Sequence, residues 1–353
     1  MLKKMIHERL AHVKDLSADT SLREEIRKIP KCELHVHLGG SIRRTTIAEL
    51  AEKNGVPLPA PKKIFLAAAT PLEFFNGEAI WELFHNTYKW HWSCIKSCDD
   101  LVRIVREFLE DSYVQGITHS EFTVSGSYLT LNFPFDEWTG AIADGIAEAR
   151  KKYPVKAAAI LDISRRLGAE SAVDNVRQIT ERRPKCICGI GMGGDEVKYP
   201  HRLFKEAFGL ARENNIPSTV HVSEFTPGET TIEALEELSP NRLGHALNTI
   251  KSPAAYETLK RSSLHVESCP LCNYVGGMGG VDNISEHPIR QFYRDGIPIS
   301  INTDDPRIFG FDLIDNYVCL IKEAGFSIAD LENINKMAHG AAFHCVGIFD
   351  AER

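Results

Sequence analysis

No stretch of this chain reaches the roughly 18 consecutive apolar residues that a membrane-spanning helix requires. A positively charged face is lacking too. The formal net charge of the 353 residues is −7, with lysines and arginines scattered along the chain. Nothing is therefore built to neutralise nucleic-acid phosphates or anionic lipid, and the expected partner is a small molecule, with no nucleic acid and no membrane. The first thirty residues lack the apolar core of a signal peptide; their charge pattern predicts one or two short amphipathic helices ended by Pro30. Low-complexity tracts, long linkers and short-period repeats are absent, which predicts a single domain over 1–353. Nine cysteines, an odd number without an export signal, predict free thiols and a cytoplasmic location.

With 43% hydrophobic and 25% charged residues the chain can bury a large core. Short apolar or β-branched runs at 32–38, 117–124, 155–163, 185–192, 218–223, 242–247, 264–269 and 297–303 alternate with charged helical stretches such as 97–115, 136–152, 168–183, 200–214 and 229–239. Eight such alternations predict an α/β fold, a (β/α)8 barrel of parallel strands, because crossover helices must cover a parallel sheet. An open doubly wound sheet is the alternative. The stretch 56–93, rich in Pro and aromatics, is too long for an ordinary loop after the first strand and predicts a helical, lid-like insertion over a pocket.

Barrels place their chemistry at the C-terminal ends of strands. In "CELHVHLGGSI" (32–42), His35 and His37 stand two apart and so share one side of a strand. His221 and Glu224 fall in "HVSE", His245 in "GHA", and Asp304 and Asp305 in "NTDDP". Taken singly, an inward histidine is more often a hydrogen-bonded core residue, and Asp-Asp-Pro a capped turn. Four metal-ligating types at strand ends of one face are a different matter: three imidazoles and a carboxylate suit Zn²⁺, one per chain. A catalytic zinc keeps one position open to water and lowers that water's pKa to about 7. Glu224 and His245 are then candidates for the proton transfers. The CxC at Cys186 and Cys188 and the CxxC at Cys269 and Cys272 could form a second, structural zinc site, but their apolar neighbours favour buried thiols. The "GGMGG" at 276–280 lacks dinucleotide-binding spacing and reads as a flexible loop.

The ordered series "KCELHVHLGGSI" (31–42), "GMGGDE" (191–196), "HVSE" (221–224), "RLGHA" (242–246), "ESCPLCN" (267–273) and "NTDDP" (302–306) resembles the adenosine deaminase family of metal-dependent amidohydrolases from residue 30 onward. The resemblance implies a one-zinc barrel that removes ammonia hydrolytically from C6 of an adenine ring, with His35, His37, His221 and Asp304 as zinc ligands. Glu224 would protonate purine N1, and His245 would orient and deprotonate the attacking water. Asp305 would hydrogen-bond N7, and the Gly194 N–H would meet N3. Adenine deamination, another metal-dependent barrel hydrolysis and a non-catalytic nucleoside-binding role are the alternatives.

The chain departs from the family in three places. "HVSE" stands for the usual "HAGE", an Arg often found two residues beyond Glu121 is absent, and Gly39 stands where many members carry an Asp that meets the ribose 5′-hydroxyl. Glycine neither accepts that bond nor repels a phosphate, so weak discrimination for a free 5′-hydroxyl is expected. Ser41, Arg43, Arg44 and the Gly39-Gly40 turn are expected to tolerate an anion there.

Overall fold

The computed structural model describes residues 2–57 and 80–343. Eight parallel strands follow one another in chain order: β1 Lys31–His37, β2 Ile117–Val124, β3 Lys156–Ser164, β4 Ile187–Gly193, β5 Ser218–Val222, β6 Arg242–His245, β7 His265–Ser268 and β8 Ile299–Ile301. They coincide with the eight apolar runs to within a few residues. An order that never skips is what results when each strand is followed by a helix packing back on the sheet in one hand. The ring closes just past β8, where the Asp304 amide donates to the His35 carbonyl at 3.1 Å and the His37 amide to the Asp304 carbonyl at 2.8 Å. The architecture is a (β/α)8 barrel, and a residue expected to hold metal also closes it.

The intervening helices bury one face each. In Cys98–Val114, Leu101, Ile104, Val105, Phe108 and Leu109 recur at helical spacing and are buried, and Ser97 with Asp100 forms a capping box at its start. Two helices, Leu2–Leu16 and Thr20–Arg27, precede β1. Arg9 ties the first of them to the carbonyls of Tyr274 (2.6 Å) and Val281 (3.0 Å), beside helix Pro270–Gly276. Of the insertion at 56–93, residues 80–93 form helix Ile80–Ser93, while 58–79 lie outside the described residues. At the N-terminal end of the barrel Phe343 stacks on Arg242, 3.6 Å from guanidinium to ring centre, and packs with Ala158, Ile160 and Cys188. The cysteines among the described residues are all free, those of the CxC and CxxC pairs buried. The glycine-rich stretch 276–280 is no open loop: it ends helix Pro270–Gly276 and turns through a short 3-10 segment.

Candidate active site

The histidines and carboxylates read from separate motifs converge at the C-terminal mouth of the barrel. β1 presents His35 and His37, β5 His221, β6 His245, and the turn after β8 Asp304. His35 Nε2 lies 3.2 Å from His221 Nε2 and 3.6 Å from Asp304 Oδ1, and His37 Nε2 lies 3.2 Å from the same oxygen. One ligand atom each from His35, His221, His245 and Asp304 fits within 4.8 Å of the others. Glycines make the convergence possible: a side chain at Gly244 would press on the His35 ring at 2.9 Å, and one at Gly40 would collide with the Asp305 carboxylate.

The donor set passes a chemical test for a cation. His35 Nδ1 lies 2.8 Å from Glu267 Oε2. Burial works against charge on Glu267, but Arg242 and His35 hold it ionised, down to about 2. An ionised carboxylate only accepts, so the His35 proton sits on Nδ1 and the bare Nε2 faces the cluster. That lone pair, His221 Nε2 and the Asp304 carboxylate then point at one another in a buried space, an arrangement that a shared cation relieves. Without one, burial opposes protonation of His35, yet Asp304 and Glu267 outweigh it and lift its pKa to about 10.

Sequence reading did not find what holds this set. Arg242 Nε donates to Glu267 at 2.6 Å and its Nη1 to Glu121 at 2.7 Å, all fully buried, and Thr219 donates to Glu267 at 2.9 Å. Glu267, held by Arg242 and Thr219 and not among the residues that line the cavity, serves His35. The Cys272 thiol donates to Asp304 Oδ2 at 2.9 Å.

Beside the cluster opens a cavity of about 250 Å³. His37, His221, Glu224, Asp304 and Asp305 line it, with Gly194 and Met278. Burial, then the negative charges of Asp304 and Glu196, pushes the Glu224 carboxyl well above the usual range, which favours its protonated form. Glu196 also fixes it by accepting from the Glu224 amide at 3.0 Å. Asp305 is lifted to about 7 by burial and by Asp304, and accepts a hydrogen bond from Tyr88 of helix Ile80–Ser93.

Two expectations need correction. Gly39 does not line the cavity: a side chain there would meet the Tyr88 ring at 2.9 Å and Trp92 at 3.2 Å, so helix Ile80–Ser93 fills the space an aspartate would use. Arg43 does not offer itself to an anion, since its guanidinium is taken by Glu110 (2.7 Å) and Asp111 (2.6 Å), and Ser41 donates to the His37 carbonyl. The cations that do line the cavity are Arg166, after β3, and Lys198, after β4.

Comparison with known proteins agrees with this geometry. The adenosine deaminase family profile matches residues 30–346. The chain belongs to the adenosine deaminase family. Curated adenosine deaminases from Shewanella loihica (29% identical, covering 92% of this chain and 96% of that protein) and Photorhabdus laumondii (30%, covering 86% and 90%) are similar over nearly their whole length. Among solved structures, an amidohydrolase from Burkholderia ambifaria with bound zinc superposes at a TM-score of 0.80 with 26% identity, covering 91% of this chain and 88% of that one. The Arabidopsis N6-mAMP deaminase superposes at 0.77 with 23% identity, covering 91% and 95%. The protein is a deaminase-family aminohydrolase with a metal-type His/Asp cluster. Among the described residues no helix is long and apolar enough to cross a membrane.

Proposed function

We propose that this deaminase uses one zinc ion to hydrolyse the exocyclic amine of an adenine nucleoside or its 5′-modified form, giving the inosine-type product and ammonia. The observation that carries the reading is the cavity wall on which Glu224, a buried carboxyl whose pKa burial raises, stands together with His37, His221, Asp304 and Asp305. His35, His37, His221 and Asp304 would hold the zinc, which when bound supplies an activated water. The chain's own groups do the rest. Glu224 gives its proton to purine N1, removing electron density from C6 as the water oxygen adds there. His245 orients the attacking oxygen, Asp305 bonds N7, and the Gly194 N–H meets N3. As the C6–N6 bond breaks, one proton of the attacking water leaves on N6 as ammonia and the proton of the added hydroxyl returns to Glu224, with no covalent link to the protein.

The sugar end of the substrate faces Arg166 and Lys198, accompanied by Ser125, Tyr128 and Ser164, and this supports an anionic 5′ group such as phosphate. The test is ammonia release from adenine, adenosine, 2′-deoxyadenosine, 5′-methylthioadenosine, AMP and N6-methyl-AMP. The 5′-modified compounds are expected to react at least as well as adenosine. Arg166→Gln and Lys198→Gln should each cost the phosphorylated ones about ten- to a hundredfold in kcat/KM and leave adenosine little changed. A hundredfold preference of the wild type for adenosine over every 5′-modified compound would refute the anionic 5′ group and leave the deaminase reading standing.

A further inference from the structure

A chain of buried hydrogen bonds ends on both proton-handling groups of the site, and its direction is settled by a backbone amide. The Ile289 N–H can only donate, and it does so to His287 Nδ1 at 3.1 Å. His287, neutral because burial pushes it down to about 3, therefore carries its proton on Nε2. That nitrogen lies 3.2 Å from Asn273 Oδ1. The contact fixes the amide of Asn273 with its NH₂ turned the other way, 3.2 Å from His245 Nδ1 and 3.4 Å from Glu224 Oε1. An amide NH₂ has no lone pair to give, so His245 Nδ1 must be bare and Glu224 Oε1 must be the acceptor oxygen. His245, Asn273 and His287 are all buried.

We infer that Asn273 and His287 are positioning residues which set the proton of His245 on Nε2 and that of Glu224 on Oε2. These are two atoms that lie 3.6 Å apart, Glu224 lining the cavity and His245 buried beside it. Two consequences follow. His245 Nε2, which has no hydrogen-bond partner among the described residues, presents an N–H and not a lone pair. Although His245 falls within the same 4.8 Å group as the ligand-type residues, it is thus a donor to the attacking oxygen and neither a metal ligand nor the base that deprotonates the water. Glu224 delivers its proton from the oxygen nearest that donor, so both groups act on one reacting edge. The inference rests on the reading of this cavity as a deaminase site, but its primary readout needs no substrate.

Zinc-loaded protein labelled with ¹⁵N-histidine is compared with His245→Gln to assign the His245 ring, and its nitrogens are read by NMR. The expected spectrum has Nδ1 non-protonated and Nε2 protonated. Asn273→Asp puts an acceptor where the donor was; with zinc content and circular dichroism unchanged, it should move the His245 proton to Nδ1 and lower kcat about a hundredfold or more, with KM little affected. His287→Gln, which keeps an N–H for Asn273, should stay within about tenfold of wild-type kcat, while His287→Leu should fall as far as Asn273→Asp. A wild-type His245 protonated on Nδ1 would overturn the inference whether or not any variant folds. Equal loss in His287→Gln and His287→Leu would overturn the part played by His287. Failure of all adenine compounds to react, with the expected spectrum intact, would instead overturn the substrate reading.

Discussion

His245 and Asp304 occupy backbone conformations that L-residues adopt at a cost, with φ of +59° and +63°. Such positions cost on the order of 1–3 kcal/mol each and persist only where the surroundings over-determine them. Here the surroundings are the barrel closure at Asp304 and the Gly244-His245-Ala246 turn, so these two strained positions carry side chains that must point inward. Glu224 is the residue whose environment most constrains its chemistry. Glu224→Gln keeps its shape but has no acidic proton to transfer, so metal content should be unchanged while kcat falls about 10²- to 10⁴-fold, measured by ammonia release alongside elemental analysis. Because burial raises the Glu224 pKa and the protonated form is the active one, wild-type kcat should persist above the pH at which an ordinary carboxyl ionises. It should decline only as pH rises through that raised value.

At the scale of elements, helix Ile80–Ser93 decides what the turn after β1 can do. Tyr88 and Trp92 press on Gly39, His91 Nδ1 lies 2.8 Å from the Gly39 carbonyl, and Tyr88 reaches across to Asp305. Gly39→Ala should therefore destabilise the fold by about 1–3 kcal/mol through overpacking, read as a lowered Tm, and should not shift substrate preference towards adenosine. A stable variant with altered preference would show that Tyr88 yields and that Gly39 meets the sugar after all. Helix Pro270–Gly276 plays the larger part, because Cys272 reaches Asp304 and Asn273 reaches His245 and Glu224 from adjacent positions of one turn.

In the molecule as a whole, stability is tied to the metal and to pH. Zinc that binds the folded chain and not the unfolded one stabilises it by RT ln(1 + [L]/Kd), about 4 kcal/mol at a thousandfold excess over Kd. Exhaustive chelation should thus lower Tm and abolish activity together, and His221→Ala should lose both metal and turnover; activity undiminished by chelation would refute the zinc mechanism. Several imidazoles elsewhere are buried neutral. Burial pushes His91 down to about 4, and burial with the charge of Arg165 or Arg242 pushes His201 and His265 down to about 3. Below the unfolded value of about 6.5 the unfolded chain takes up protons that the folded one refuses, so stability should fall as pH drops from there. Each such group contributes at most about 1.4 kcal/mol per pH unit. Neither ring nitrogen of His265 has a hydrogen-bond partner among the described residues. His265→Leu should therefore raise stability and flatten this slope, as measured by urea unfolding at pH 7 and pH 5.

The amino-acid sequence by itself determined the alternation of strands and helices, and the strand ends on which His35, His37, His221, His245 and Asp304 fall. Both follow from local geometry: a strand turns alternate residues to one face, and a parallel sheet requires a crossover between strands. The tertiary structure alone decided which groups meet. Glu267 lies 232 positions from His35, Arg242 121 from Glu121, and Asn273 49 from Glu224, so only barrel register brings them into contact. For the same reason Gly39 read as a gap in the sugar pocket until the Tyr88 ring was seen against it, and Arg43 read as an available cation until Glu110 and Asp111 were seen around it. Spacing along a chain states which way a side chain points; what stands opposite, and hence its charge, tautomer and task, is set by closure of the ring.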